Sequence, residues 1–282
     1  MKKILAVSGG IDSVVMLHMF RNDPEAIVAH FDHGIRENSA ADAEFVCRLA
    51  NEYGLECVVG RGKLGEDANE AVARKARWDF LSGLGGKIYT AHHKNDVVES
   101  VAINLLRGTG WRGLAAMDER SIERPLLAMG RAEICRYAGE YGLHFREDQS
   151  NNTDAYLRNR IREKLHNLPA DDISTVADRA TKQRELAGMI DEQLAHLYDK
   201  ITKVSDDSLA VDRESLGALP DEVAAEVLRK VLADAGRTSA TRPQLQRLLQ
   251  DIRKLQNGKQ ISFGRDYFIK ITRDSAVFPT TN

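Results

Sequence analysis

Six consecutive residues, Ser8-Gly9-Gly10-Ile11-Asp12-Ser13, have the types and order that suit a polyphosphate. Glycines let the backbone approach an anion closely, and the start of a helix presents unpaired N–H groups and a positive dipole end. Ser8 and Ser13 add hydroxyl donors, and Asp12 could hold a Mg2+ that screens the phosphates. The loop lacks the lysine of G-x-x-x-x-G-K-S/T, so it is a different kind of phosphate loop. The bland alternative is an ordinary turn capped by Asp12.

Other residues invite chemistry less directly. His30-Phe31-Asp32-His33 and His92-His93-Lys94-Asn95-Asp96 combine imidazoles with carboxylates, the ligands of hydrolytic metal centres. Adjacent histidines on an extended segment diverge, and H-x-x-x-H spacing is missing, so packing or substrate orientation suits them better. Asp32 and Asp96 fit as carboxylates near a phosphate site, sharing Mg2+ or holding a cationic substrate. Arg74 and Arg77 lie three apart, on one helix face, where solvated charge is the usual explanation. Gly108-Thr109-Gly110-Trp111-Arg112-Gly113 spells G-x-G-x-x-G, but it follows a helix and no helix evidently follows it, so the dinucleotide reading fails. A glycine-rich loop offering Arg107 and Arg112 to an anion competes there with a simple helix C-terminus. The basic run containing Arg158, Arg160, Arg162 and Lys164 follows the polar loop Asp148–Asp154. It could touch a phosphate backbone or be a solvated face.

The elements that must position these groups alternate. Apolar runs at Ile4–Val7, Ala26–Phe31, Leu55–Val59 and Lys87–Ala91 read as strands, and Val14–Phe20, Ala41–Tyr53, Asp67–Leu84 and 95–107 as helices. Such alternation predicts a parallel sheet with helices on both faces, binding ligands beyond the carboxyl ends of its strands. Ser8–Ser13, Asp32-His33 and His92-His93 all fall at such ends. Residues 108–130 read as irregular, and a helix runs from Arg131 to Tyr141. Beyond Pro169 the pattern changes: a long amphipathic helix from Asp172 to about Ile201, a strand at Ser208–Val211, helices from Pro220 and Pro243, and two strands joined at Gly264-Arg265-Asp266. The expected domains are residues 1–168, a helical linker at 169–205, and a small α+β domain at 206–282.

The totals bound the class. The 282 residues are 43% hydrophobic and 29% charged, with net charge −2, so no global basic field advertises nucleic acid and any RNA contact must come from local patches. Cys47, Cys57 and Cys135 form no C-x-x-C pair, which predicts a reduced chain without disulfides or structural zinc. No run reaches transmembrane length and the N-terminus has no signal-like core. A cytoplasmic protein is expected.

The order of these motifs resembles one family, the bacterial tRNA(Ile)-lysidine synthetases of the PP-loop ATP pyrophosphatases. The resemblance runs through Ser8–Ser13, Asp32-His-Gly-Ile-Arg36 with Asn38-Ser39, Asn69 with Ala73-Arg74 and Arg77-Trp78, Ala91-His-His93, Asp96 and Glu99. It continues through Leu105-Leu-Arg-Gly-Thr-Gly110, Arg124-Pro-Leu-Leu127, Glu147-Asp148 with Ser150-Asn151, and Arg158-Asn159 with Ile161-Arg162. Asn95 stands where the family usually has aspartate, and Ser100 where it has threonine. The resemblance implies a PP-loop, adenine-nucleotide-hydrolase-like fold and a ligase using ATP and Mg2+. That ligase would adenylate cytidine 34 of tRNA(Ile) with anticodon CAU and then attach free L-lysine. Ser8, Gly9, Gly10, Ile11, Asp12 and Ser13 would grip pyrophosphate, with Asp12 on the metal. Asp32, Asp96 and Glu99 would serve lysine or metal, and Arg36, Arg74, Arg77 and Arg107 the phosphates or intermediate. Arg158, Arg160 and Arg162 would face tRNA, and the linker helix could serve a homodimer. The rival expectations are another PP-loop enzyme such as a tRNA thiolase, a metal-dependent phosphohydrolase, and a non-catalytic nucleotide-sensing RNA-binding module.

Overall fold

The computed structural model describes residues 1–32, 34, 39–62, 70–117, 119, 121–146, 155–166, 168–237 and 240–280. His33, Arg36, Asn38, Asn69, Glu147, Asp148, Ser150 and Asn151 lie outside them, as does the side chain of Arg158. The chain divides into two compact units, Met1–Glu185 and Leu186–Asn282, and the divide falls inside the long helix.

In the first unit the elements run β1 (Lys3–Ala6), α1 (Ile11–Met19), β2 (Ala26–Asp32), α2 (Ser39–Glu52), β3 (Glu56–Arg61), α3 (Glu70–Gly83), β4 (Lys87–Thr90), α4 (Lys94–Leu106), α5 (Trp111–Leu114), β5 (Ile122–Glu123), α6 (Arg131–Glu140), α7 (Ala155–His166) and the start of α8 (Ala170–Ile201). The strands form one parallel sheet in the order β3-β2-β1-β4-β5. Successive side chains of a strand point to opposite faces, and β1 is apolar on both. Leu5 and Val7 enter the core built with α1, α2 and α6, while Ile4 and Ala6 pack with Leu81 and Ile88 on the other face. A strand buried on both sides is the requirement of a central parallel strand, and β1 is that strand.

The fold matches the expected α/β class, with short elements added inside stretches that read as irregular or as fewer strands. β5 is a two-residue strand, and α5 is a single turn that does follow the G-x-G-x-x-G stretch, contrary to expectation. Both are too short to show a period. In the second unit, β6 (Thr202–Val204), β7 (Ser208–Asp212), α9 (Arg213–Ala218), α10 (Asp221–Asp234), α11 (Arg242–Lys254), β8 (Gln260–Ser262), β9 (Phe268–Ile271) and β10 (Ser275–Pro279) follow. Its antiparallel sheet, β6-β7-β10-β9-β8, packs against α10 and α11 around Val211, Leu228, Leu232, Leu249 and Phe278. The expected pair of closing strands is a set of three.

The cysteine expectation is corrected. Cys47 of α2 and Cys57 of β3 are joined by a disulfide with Cα atoms 5.4 Å apart; Cys135 is free and exposed. The two residues meet because α2 turns back at Gly54 to lay β3 beneath it, a closeness that their ten-residue spacing does not advertise. Crosslinking so short a loop stabilises a fold by about 2–3 kcal/mol. A thiol reductant is therefore expected to lower the denaturant midpoint of the wild-type chain and leave C47S/C57S unaffected. Identical wild-type curves with and without reductant would show that the bridge contributes nothing.

Candidate functional site

The strand order fixes where a ligand can sit. The chain leaves β1 for β2 on one side and later places β4 on the other, so the loops after β1 and β4 part and leave a crevice. A cavity of about 620 Å³ lies there, lined by the loop after β1, the loop after β4, and residues of α3, α4, α6 and α7. That size lies within the range of small-molecule sites.

Ser13 holds the first loop together. Its hydroxyl donates to the Gly10 carbonyl at 2.8 Å and accepts from the N–H groups of Gly9 at 3.1 Å and Ser8 at 3.2 Å. Gly9 adopts φ +96°, a left-handed conformation that glycine alone takes without strain, and its carbonyl accepts from the Arg146 N–H. The donors that sequence would aim at an anion are thus divided. Those of Ser8 and Gly9 brace the loop, and those of the first turn of α1 remain. No side chain caps α1, whose N-cap is Gly10; Asp12 does not cap it. An uncapped helix start lining a cavity is an anion site.

The second loop supplies histidines and acids. His93 is the N-cap of α4: its Nδ1 accepts from the Asn95 N–H at 3.2 Å, and its own N–H donates to Asp96 Oδ2 at 2.9 Å. With Nδ1 accepting, the ring proton sits on Nε2, which lies 3.8 Å from Asp12 Oδ1 and 3.5 Å from Asp96 Oδ2. His93 thus spends Nδ1 on capping α4 and turns Nε2 toward the two acids. His30 is likewise structural, buried with its Nδ1 2.9 Å from the Val7 carbonyl. His92 lies 2.9 Å from Thr90 Oγ1. Burial pushes its imidazole down to about 4, against the pull of Asp96 and helped by Arg124, Arg77 and Arg74.

Charges of both signs meet at the cavity. Glu99 is buried and accepts from Arg162 Nε at 2.8 Å; burial opposes the charge of Arg162, but this bond raises its pKa. Arg77 also lines the cavity, its pKa lowered by burial and then by Arg74. Arg131 donates from Nη1 to both oxygens of Asp12, at 2.7 and 2.9 Å. Sequence reading missed this arginine. Its signal was a cation in the first turn of a helix, where the dipole disfavours it. Its backbone N–H bonds Asn95 Oδ1 at 3.0 Å.

The structure brings together Ser8, Gly10, Ile11, Asp12, Ser13, Arg77, Asp96, Glu99 and Arg162. Asp32, Arg74, Arg107 and Arg160 do not line the cavity. Asp32 ends β2, across β1 from the crevice, and accepts from the Gly34 N–H. Arg107 caps the far end of α4. Among the described residues no group of three or more His, Cys, Asp or Glu side chains is placed to hold a metal ion. A magnesium ion shared with phosphates needs only one or two carboxylates, and Asp12 and Asp96, both within 4 Å of one imidazole nitrogen, suit that role.

The comparisons agree with this geometry. The family model of the PP-loop domain matches residues 1–168. The tRNA(Ile)-lysidine synthase of Thermotoga maritima is 36% identical over 193 residues, covering 62% of this chain and 47% of that protein. That of Nitrosomonas europaea is 30% identical over 281 residues, covering 92% and 60%. The chain spans about half the length of the curated relatives it matches. Among solved structures, the U34-tRNA thiolase NcsA of Methanococcus maripaludis, with its 4Fe-4S cluster, aligns at TM-score 0.53 and 18% identity, over 66% of this chain and 72% of that one. It shares the fold. No helix of the described residues is long and apolar enough to cross a membrane.

The His92 ring gives a direct check on this site. An unfolded histidine titrates near 6.5. Between that pH and about 4 the unfolded chain takes a proton that native His92 refuses, so stability falls as pH drops through this window. NMR of the native chain is expected to show a neutral His92 ring from pH 8 down to about 5; a midpoint near 6.5 would mean the ring is solvated.

Proposed function

The chain belongs to the PP-loop family, and from that premise we propose that it is an ATP-dependent ligase that makes lysidine in tRNA. One observation carries the reading furthest. In a single cavity, the uncapped start of α1 stands beside Asp96 and Glu99, so a polyphosphate and a cationic amine have adjoining places. The substrate would be cytidine 34 of tRNA(Ile) with anticodon CAU, and the amine free L-lysine.

In the first step the C2 oxygen of the cytidine attacks the α-phosphorus of ATP, and pyrophosphate leaves. The N–H groups of the first turn of α1 and the Ser8 hydroxyl favour the charge that grows on the departing phosphates. Asp12 would hold a Mg2+ that screens those phosphates. Arg77 and Arg131 pair with phosphate oxygens. For Arg131 this means exchanging the carboxylate of Asp12 for the substrate. In the second step the ε-amine of lysine attacks C2 and AMP leaves. Asp96 and Glu99 bind the ammonium and accept the proton that the attacking nitrogen sheds. None of the cysteines lines the cavity, which favours amine transfer over the cysteine chemistry of a thiolase.

The remaining assignments follow from shape and charge. Arg158 and Arg160 on α7, and the small α+β unit, offer contacts to the tRNA beyond its reacting base. Leu186, Met189 and Ile190 are exposed at i, i+3 and i+4 on α8, a stripe suited to a homodimer. A reaction on tRNA with ATP and free lysine belongs in the cytoplasm.

Incubation with ATP, labelled lysine and total tRNA is expected to place label in one isoleucine tRNA; no transfer, or metal-dependent phosphate release without tRNA, would overturn the reading. Asp96→Asn and Glu99→Gln should each raise the KM for lysine at least tenfold while moving the KM for ATP less. An unchanged lysine KM in both variants would remove lysine from this pair of acids.

A further inference from the structure

Arg107 came from a run that suggested anion binding, yet it lies outside the cavity, and its neighbours suggest a different role. Leu105 and Leu106 are 57% and 67% exposed, an unusual state for adjacent leucines at a helix end. The chain then turns at Gly108, φ +73°, and α5 begins with Trp111. The guanidinium of Arg112 lies over the Trp111 ring, 4.3 Å from its centre. The corner is held in shape: Asn104 Nδ2 donates to the Gly113 carbonyl at 2.8 Å, and Leu114 and Met117 anchor α5 against Val97 and Val101 of α4. The corner presents two leucines, a stacked arginine–tryptophan pair and a second arginine.

We propose that this corner of α4 and α5 is a docking surface for an unpaired stretch of RNA, with bases against Trp111, Arg112 and the leucines and phosphates on Arg107 and Arg112. The inference rests on the tRNA-modifying reading above. Charge selects the occupant. From Ser100 to Met117 the chain carries two arginines and no acidic residue; Asp118 and Glu119 follow, and Glu119 is paired with Arg124. The corner therefore offers apolar surface together with positive charge, as a base-and-phosphate ligand requires. A second copy meeting it across a two-fold axis would set these arginines against themselves. The position also fits. Asp96 and Glu99 at one end of α4 line the cavity, and Arg107 ends the same helix eleven residues after Asp96, about 16 Å along the axis. A strand rising about 3.4 Å per stacked nucleotide spans that in about five nucleotides. RNA whose target base enters the cavity would therefore have its neighbours within reach of this corner.

The test uses the full chain and an unmodified tRNA(Ile) transcript with anticodon CAU. Anisotropy binding would compare wild type with Leu105→Ser/Leu106→Ser and with Arg107→Gln/Arg112→Gln, all surface changes whose folding is checked by thermal unfolding. Both pairs are expected to weaken tRNA binding about tenfold or more with ATP affinity unchanged. The arginine pair should also flatten the dependence of log Kd on log salt by one to two. A further variant, Arg112→Lys, keeps the charge but loses planar stacking, and should fall between wild type and the arginine pair. If wild type transfers lysine but both pairs bind tRNA as it does, the docking surface is refuted and the ligase reading stands. If the leucine pair instead converts a dimer to monomer in sedimentation with tRNA affinity intact, the patch belongs to a second copy and the inference is also overturned. Failure of wild type itself to bind or modify the transcript overturns the ligase reading and the docking surface with it.

Discussion

The hydroxyl of Ser13 is the interaction on which the candidate site depends. It accepts from the N–H groups of Ser8 and Gly9 and donates to the Gly10 carbonyl, and so fixes the exit of β1 with bonds internal to the loop. Once Gly9 is held at φ +96°, the chain enters α1 with Gly10 as its cap and no side chain over the first turn. The orphan N–H groups of that turn are left to whatever occupies the cavity. A hydroxyl that looked like a phosphate donor thus acts one layer further in, shaping the backbone that does the binding.

The acids and arginines are placed by the same economy. His93 caps α4 through Nδ1, and its backbone N–H bonds Asp96, which sets that acid at the cavity wall. Glu99, a turn further along, is brought to the cavity with Arg162 of α7 as its counter-ion. Asp12 has Arg131 for its own. A burial of like charges would be costly without such pairing. Each pair leaves the site able to take either sign: an anion can replace a carboxylate on an arginine, and an ammonium can replace an arginine on a carboxylate.

Much of this was legible in the residues. Continuous apolar runs marked β1, β2 and β4 because a central parallel strand is buried on both faces, and the parallel order then sent Ser8–Ser13 and His92–Asp96 to one crevice. Distance along an element was less legible. Arg107 shares α4 with Asp96, but spacing does not say that the cavity reaches only the first turns of that helix. Contacts between elements were not legible either. Arg131 finds Asp12 through α6, and Cys47 finds Cys57 through the turn between α2 and β3; neither pair has a sequence period. β5 and α5 were too short to carry one.

On the proposed reading, a nucleotide's phosphates lie against the backbone at Gly10. A Cβ added at Gly10 meets just one heavy atom of the described residues within 4 Å, Ser8 Oγ at 3.7 Å, and its backbone, φ −73°, suits any residue. Alanine there should leave the fold intact and obstruct only what binds. Calorimetric titration of ATP into Gly10→Ala is the direct measurement, with thermal unfolding as its control. The expected result is wild-type stability with ATP affinity at least tenfold weaker. Undiminished affinity in a fully folded variant would contradict it.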